Sequence, residues 1–188
     1  MTKNQKGFTL VEIAIVLVII GLIIGSILKG QELVKSAKVK RVWKQSEEIR
    51  AAVYGYQDRY KNLPGDDSLA ATHVGGVNGD GNGIIESGGA TNESMHMFDQ
   101  LEAAGFIAGS FNGTQYGTHA LGGSYYINYY DGTGNPTKAD HWVAFATIPG
   151  EIAEFIDTTY DDGSWNTGGV QTSADYNTTS PVTLFIQF

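Results

Sequence analysis

The sequence contains no cysteine, so no disulfide can stabilise any part of the chain. Proline is scarce as well, and none of the four prolines lies between Phe8 and Leu63. Because proline interrupts helices, its absence leaves that stretch free to form one long helix. The enzyme motifs G-x-S-x-G, H-E-x-x-H and G-x-x-x-x-G-K-[ST] are also missing, and the histidines show no metal-ligand spacing. We therefore expect a protein that is not an enzyme.

Positive charge is nearly absent after Lys61, where a single base, Lys138, stands against fifteen acids. Residues 8–61 carry nine bases and five acids, so the formal net charge of −8 conceals a basic first part and a strongly acidic second part. An acidic surface repels nucleic acid phosphates and attracts divalent cations. The charge pattern therefore disfavours nucleic acid as a partner of the acidic C-terminal part, and none is expected to bind there.

The run from Phe8 to Leu28 contains no Lys, Arg, Asp, His or Pro, and its only charge is Glu12. A helix needs roughly 20 apolar residues to cross a bilayer, so the run predicts a transmembrane helix. A carboxylate there costs several kcal/mol unless it is paired, which makes Glu12 a candidate functional residue. The preceding Lys3 and Lys6 favour a cytoplasmic leader. The apolar run is too long for a secretory signal, and no small-x-small cleavage site follows it.

The segment Lys6-Gly7-Phe8-Thr9-Leu10-Val11-Glu12 resembles the processing site of type IV prepilins and type II secretion pseudopilins. The resemblance implies that a prepilin peptidase cuts between Gly7 and Phe8 and that the new N-terminal Phe8 is N-methylated. It also implies that Glu12 pairs with the N-terminal amine of a neighbouring subunit in a filament. Such a pair avoids two unpaired buried charges. The alternative is a simple membrane anchor with an isolated glutamate.

The helical pattern continues beyond the apolar run and becomes amphipathic. Its apolar positions are Val42, Ile49, Val53, Tyr56 and Tyr60. The sequence Leu63-Pro64-Gly65 is expected to end the helix. Many relatives have proline where this chain has Lys29, so a break in the helix is not assumed there.

These patterns, taken with the resemblance, predict an α+β fold of the pilin-like lollipop type. A long N-terminal helix would pack on a small antiparallel β-sheet head. The expected organisation is a leader peptide (1–7), a transmembrane or filament-core half of the helix (8–28), an amphipathic half (29–63) and a globular head (64–188) with a calcium-type loop.

The loop Asn78 to Glu86 has the alternating oxygen ligands of the first half of an EF-hand, with a glycine at the sixth place. Its twelfth place is Gly89 rather than the usual glutamate, so the match is partial. The acidic head, the missing disulfide and the resemblance to calcium-binding pseudopilins favour Ca²⁺. The alternative is a Gly/Asn turn with solvated side chains. The expected ligands are Asn78, Asp80, Asn82, the Ile84 carbonyl and Glu86, with Asp66 or Asp67 completing the shell.

Further elements of the head are predicted from local patterns. They are a helix over 95–104 capped by Ser94, a strand over 124–130, its antiparallel partner over 141–148, a helix over 149–155 and a strand over 182–188. The pair Asp161-Asp162 suits a turn better than a second metal site.

We therefore expect a pilin that polymerises into a type IV pilus-like filament after leader cleavage. The alternative in the same class is a pseudopilin of a type II secretion system. The alternative of another class is a membrane-anchored adhesive or ligand-binding module acting through Tyr126, Tyr130 and the acidic loops. The resemblance implies three partners: identical or related pilin subunits, the prepilin peptidase/methyltransferase and an inner-membrane assembly platform. It places the chain in the bacterial inner membrane before assembly and then in a periplasmic pseudopilus or a surface pilus.

Overall fold

The computed structural model of the chain describes residues 7–88 and 91–188. The leader residues before Gly7, with Lys3 and Lys6, and the twelfth place of the calcium-type loop, Gly89, lie outside the described residues. The chain divides into two units, Met1–Ala37 and Lys38–Phe188, called here the N-terminal and C-terminal units. Each is described by itself.

The first helix, α1, spans Leu10–Tyr60 and runs through Lys29 without interruption. In the N-terminal unit its apolar side chains are exposed, as Leu10, Leu17 and Ile24 illustrate. Among the described residues, α1 is the one helix that is long and apolar enough to cross a membrane. The helix ends at Tyr60, slightly before the expected end at Leu63.

The remaining elements belong to the C-terminal unit. They are α2 (Ala70–His73), α3 (Glu93–Ala103), β1 (Gly117–Thr118), β2 (Ser124–Asp131), β3 (Ala139–Ile148), α4 (Gly150–Tyr160), β4 (Val170–Thr172) and β5 (Val182–Gln187). The strands form one antiparallel sheet in the order β1-β2-β3-β5-β4. A long N-terminal helix with an antiparallel sheet confirms the predicted α+β class.

Two predicted helix boundaries need correction. Helix α3 is capped by Asn92, whose side chain accepts a hydrogen bond from the Met95 N–H, and not by Ser94. Ser94 is buried inside the helix, and its hydroxyl bonds the Asn128 side chain at 3.1 Å. Helix α4 continues to Tyr160 instead of ending near residue 155, because nothing in Ile156 to Tyr160 interrupts the helix.

The core of the C-terminal unit lies between α1 and one face of the sheet. The predicted apolar positions Val42, Ile49, Val53 and Tyr56 are all buried, and Tyr60 is half-buried. The opposing row crosses four strands in register: Ile127 on β2, Val143 on β3, Ile186 on β5 and Val170 on β4. In this unit α1 is amphipathic, and its apolar face completes the core.

The other face of the sheet carries a smaller apolar cluster around Trp142, Ala144 and Phe185. Tyr126 and Tyr130 pack against this cluster, and the Tyr130 and Phe185 rings lie 5.2 Å apart. Both tyrosines are half-buried. Only part of each ring is therefore exposed for the ligand binding considered as an alternative function.

Candidate functional site

The N-terminal end of α1 is closed by a capping box between Thr9 and Glu12. The Glu12 carboxylate accepts hydrogen bonds from the Thr9 N–H and hydroxyl, each at 2.8 Å. The Glu12 N–H donates in return to the Thr9 hydroxyl oxygen at 3.3 Å. This pairing satisfies free N–H groups of the first turn, and the helix dipole favours a carboxylate there.

Glu12 has no basic partner among the described residues: its hydrogen bonds go to Thr9. Phe8, immediately before the helix, is 84% exposed. The described chain therefore places one charge in an apolar run without a counter-charge. A carboxylate in such a run is costly in lipid unless a positive group balances it, and the part of the chain that the structure describes supplies none.

A second candidate site lies where the loop Asn78 to Glu86 meets the start of α3. One carboxylate oxygen from each of Asp66, Asp80 and Glu93 lies within 4.8 Å of the others. Asp66 and Glu93 are almost fully buried, with exposed fractions of 3% and 2%, whereas Asp80 is exposed. The three side chains could hold a metal ion that prefers oxygen ligands.

The loop wraps its backbone around the two buried carboxylates. Asp66 accepts hydrogen bonds from the N–H groups of Asn82 at 3.0 Å and Gly83 at 2.9 Å. Glu93 accepts from the N–H groups of Asp80 at 3.1 Å and Glu86 at 3.2 Å. The segment before the loop and the helix after it are thereby joined through one acidic centre.

Burial sets the electrostatics of this centre. Burial raises the pKa of Asp66 above its ordinary value, although the N–H groups of Gly83, Gly81 and Asn82 oppose the shift. Burial likewise raises the pKa of Glu93, and the charges of Asp66 and Asp80 add to the rise. Neighbouring buried carboxylates resist ionisation unless a cation compensates their charge.

Glycine makes the close packing of the loop possible. A Cβ at Gly79 would lie 2.3 Å from the Gly65 carbonyl oxygen and 2.5 Å from backbone atoms of Asp66. Gly83 has a φ of 90°, a conformation that other residues rarely adopt. A larger residue at Gly79 would push the loop away from Asp66.

The structure brings together some of the expected calcium ligands and not others. Asp66 and Asp80 converge, whereas the Asn78 side chain accepts a hydrogen bond from the Ala71 N–H at 2.8 Å. The Asn82 amide donates to Asp80 at 3.0 Å and accepts from the Ile84 N–H at 2.8 Å. Glu86 contributes its N–H to Glu93.

Glu93 was not among the expected ligands. It lies thirteen residues after Asp80, outside the spacing of a calcium loop. The available signal was an acidic residue just before the start of a predicted helix, and acidic residues near helix starts are common where no metal binds.

Asp67, the alternative to Asp66, is committed to a different network. Its buried carboxylate accepts from the Tyr56 hydroxyl at 2.8 Å, the Asn62 amide at 2.9 Å and the Leu69 N–H at 2.8 Å, and it pairs with His73 at 2.6 Å. Burial tends to raise the pKa of Asp67, but the hydrogen bonds from His73, Leu69 and Tyr56 outweigh burial and lower it. Asp67 therefore fastens the end of α1 to the loop that follows.

Replacing Asp67 with alanine is expected to lower the free energy of unfolding by about 1–3 kcal/mol at pH 7, because buried donors lose their acceptor. Since the pKa of Asp67 is lowered in the fold, its contribution is present at neutral pH and is lost as the pH falls through the folded pKa. Denaturant unfolding at pH 7 and in acid measures both effects. Asp58→Ala is the control, because the Asp58 side chain is 90% exposed. Equal stabilities of the two variants would contradict the role of the network.

The pair Asp161-Asp162 belongs to a second acidic cluster with Asp157 at the end of α4. Asp161 accepts from the N–H groups of Gly169 at 2.6 Å and Val170 at 2.8 Å. Asp162 accepts from the Ser164 N–H at 2.9 Å and the Thr167 hydroxyl at 2.7 Å. Asp157 accepts from Gly163 and Tyr176. These bonds organise the turns after α4, as the sequence favoured.

Comparison with known proteins adds one finding. The family model of the prokaryotic N-terminal methylation motif matches residues 2–28, which include Gly7, Phe8 and Glu12. No curated protein and no solved structure matches the chain. The match covers the leader and the apolar run, and the C-terminal unit lies outside it. The chain thus carries the prokaryotic N-terminal methylation motif, the signature of the leader of type IV pilin- and pseudopilin-like precursors.

Proposed function

We propose that the chain is a structural subunit that is cut between Gly7 and Phe8, is N-methylated at Phe8 and polymerises into a type IV pilus-like filament. The observation that carries this proposal is the methylation motif on an apolar run whose only charge is Glu12. A helix that served only as a membrane anchor would be more stable in lipid without this carboxylate, because an unpaired charge is costly there.

Cleavage creates the positive charge that Glu12 lacks. The new amine lies at Phe8, and in the filament the amine of one copy pairs with Glu12 of the next. The exposed apolar side chains of the N-terminal unit then pack against other copies instead of lipid. The partners of this cycle are the prepilin peptidase/methyltransferase, an inner-membrane assembly platform and further pilin subunits.

The methylation motif is shared by pilins and pseudopilins, so it favours neither form of the filament. The subunit waits in the inner membrane and then enters either a surface pilus or a periplasmic pseudopilus. Micrographs of purified surface appendages, with antibody labelling of this chain, separate the two forms. Long labelled filaments identify a pilus.

Substitution of Gly7 tests the cleavage. Gly7→Val is expected to keep residues 1–7 in cells with active prepilin peptidase and to give no filaments, whereas the wild-type chain begins at a methylated Phe8. Intact mass measurement distinguishes the two forms. Gly30→Val is the control, since a Cβ meets no atom within 4 Å at either glycine. A wild-type chain that retains Met1 to Gly7 would refute the filament proposal.

We propose in addition that Asp66, Asp80 and Glu93 bind Ca²⁺. Support comes from two nearly buried carboxylates beside a third, in a C-terminal part with fifteen acids and one base. Ca²⁺ takes six to eight oxygen ligands, so loop oxygens and water would complete the shell. The loop oxygens nearby in sequence are those of Glu86, the Ile84 carbonyl, and Asn78 and Asn82, whose side-chain oxygens would have to exchange their hydrogen bonds from Ala71 and Ile84 for the ion. With no cysteine available, the ion would take the place of a disulfide in stabilising this region.

A further inference from the structure

Three exposed basic side chains, Lys38, Lys40 and Arg41, project from one turn of α1. In the same turn, Val39 and Val42 are buried. These three residues are called the basic band. All of them belong to the C-terminal unit.

The basic band has no carboxylate within 4.0 Å among the described residues. The neighbouring bases of α1 are paired within the helix: Lys44 with Glu48 at 3.3 Å, and Arg50 with Glu47. The band therefore keeps its charge available for another molecule.

The complementary charge lies on and after α4. Glu154, Asp161 and Asp162 are exposed, and within the described chain no Lys or Arg lies within 4.0 Å of them. These three residues are called the acidic patch. Stacking of Tyr160 on Trp43, with ring centroids 4.0 Å apart, holds the end of α4 at α1, yet no salt bridge joins the band to the patch within one copy.

We propose that the basic band of one copy docks on the acidic patch of a second copy. The proposal rests on the filament function proposed above and names a surface that mediates it outside the apolar run. Every copy carries both the basic band and the acidic patch. Because these two surfaces differ, the contact can repeat from copy to copy, as a filament requires. Opposite surface charges also steer encounter and fix orientation.

Anionic lipid headgroups are the other ligand that a basic segment near a membrane helix can bind. The second copy is favoured because the chain itself supplies a matching acidic surface, in a part that carries fifteen acids against the single base Lys138. Lipid binding is an outcome of the test below.

Charge reversal tests the contact. The triple variant Lys38→Glu, Lys40→Glu, Arg41→Glu should be cut after Gly7 and remain in the membrane, but its filament yield should fall by about tenfold or more, which corresponds to the loss of a few surface charge pairs. The matched control Lys38→Arg, Lys40→Arg keeps the charge and should assemble like the wild type. The melting temperature of each purified full chain verifies that the variants fold.

Carbodiimide coupling identifies the partner, because it joins lysine amines to carboxylates that are in contact. In wild-type filaments we expect covalent dimers whose cross-linked peptides contain Lys38 or Lys40 and Glu154, Asp161 or Asp162. The control Lys38→Arg, Lys40→Arg should lose these cross-links while still forming filaments.

The possible failures are distinguishable. If the wild-type chain forms no filaments, the proposed function fails. If filaments form but charge reversal leaves their yield unchanged, the docking surface is refuted. It is refuted as well if wild-type filaments give no such dimers. If the full chain then binds phosphatidylglycerol vesicles and the charge-reversal variant does not, the band binds lipid instead.

Discussion

Glu12→Ala is expected to leave the chain cut after Gly7 and inserted in the membrane, but to reduce filament yield by at least about a hundredfold. The physical reason is the amine of Phe8, which would enter the filament core without a counter-charge. Removing one member of a buried ion pair costs about 3–5 kcal/mol, and each 1.4 kcal/mol is a factor of ten. Membrane insertion should not suffer, since the substitution removes the only charge of the apolar run.

The capping box supplies a sharper version of this experiment. Glu12→Gln keeps a side chain that can still accept hydrogen bonds from Thr9, but it removes the charge. If pairing with the amine matters, Glu12→Gln should assemble as poorly as Glu12→Ala. If only the helix cap matters, Glu12→Gln should assemble like the wild type.

Glu32→Ala is the control for loss of one negative charge from α1. Glu32 is exposed and pairs with Lys29 three residues away, an arrangement that contributes little to stability. Leader cleavage measured by intact mass, membrane fractionation and filament yield complete the comparison. Normal filament yield from Glu12→Ala would refute the proposed pairing.

The second large effect is expected from calcium. EGTA should lower the melting temperature of the purified full chain by about 5–10 °C relative to saturating Ca²⁺. An ion at a hundred times its dissociation constant stabilises the fold by about 2.7 kcal/mol, and 1 kcal/mol shifts the melting temperature by about 2–4 °C at this size. A melting temperature unchanged by EGTA would refute the calcium site.

Substitutions of the proposed ligands test where the ion binds. Asp66→Asn and Glu93→Gln should each abolish most of the response to Ca²⁺, because each removes a charged ligand of the buried centre. Asp162→Asn is the matched control, since it alters the other acidic cluster. If Asp162→Asn abolishes the response and Asp66→Asn does not, the ion lies at the end of α4, and our assignment is wrong.

Local patterns predicted the long helix, α3, the start of α4 and the strands β2, β3 and β5, whereas α2, β1 and β4 were not predicted. The spacing of Val42, Ile49 and Val53 predicted the buried face of α1, because a helix repeats every 3.6 residues whatever its partner. Alternation predicted β2 and β3 to within about two residues of their observed ends. The cap of α3 was misplaced because Asn92 and Ser94 are both good capping residues, and the buried bond of Ser94 to Asn128 depends on packing of α3 against β2.

The candidate metal centre could be predicted only in part. Asp80 belongs to the loop motif, but Asp66 and Glu93 reach it from a preceding segment and from a following helix. Asp66 and Asp67 are adjacent and chemically identical, so the sequence gives no reason to choose between them. The choice follows from the fold, in which Tyr56 and His73 surround Asp67 while the backbone of the loop surrounds Asp66.

The sequence by itself determined the N-terminal methylation motif, the apolar run with its single carboxylate, the absence of disulfides and the division of charge. All of these depend on residue type and spacing along the chain, which folding does not change. Only the tertiary structure decided that Glu93 joins Asp66 and Asp80 and that Asp67 is committed to Tyr56 and His73. It also decided that Lys38, Lys40 and Arg41 have no carboxylate partner among the residues that it describes. These outcomes depend on which distant segments meet, because burial and hydrogen bonds between segments have no signature in local spacing.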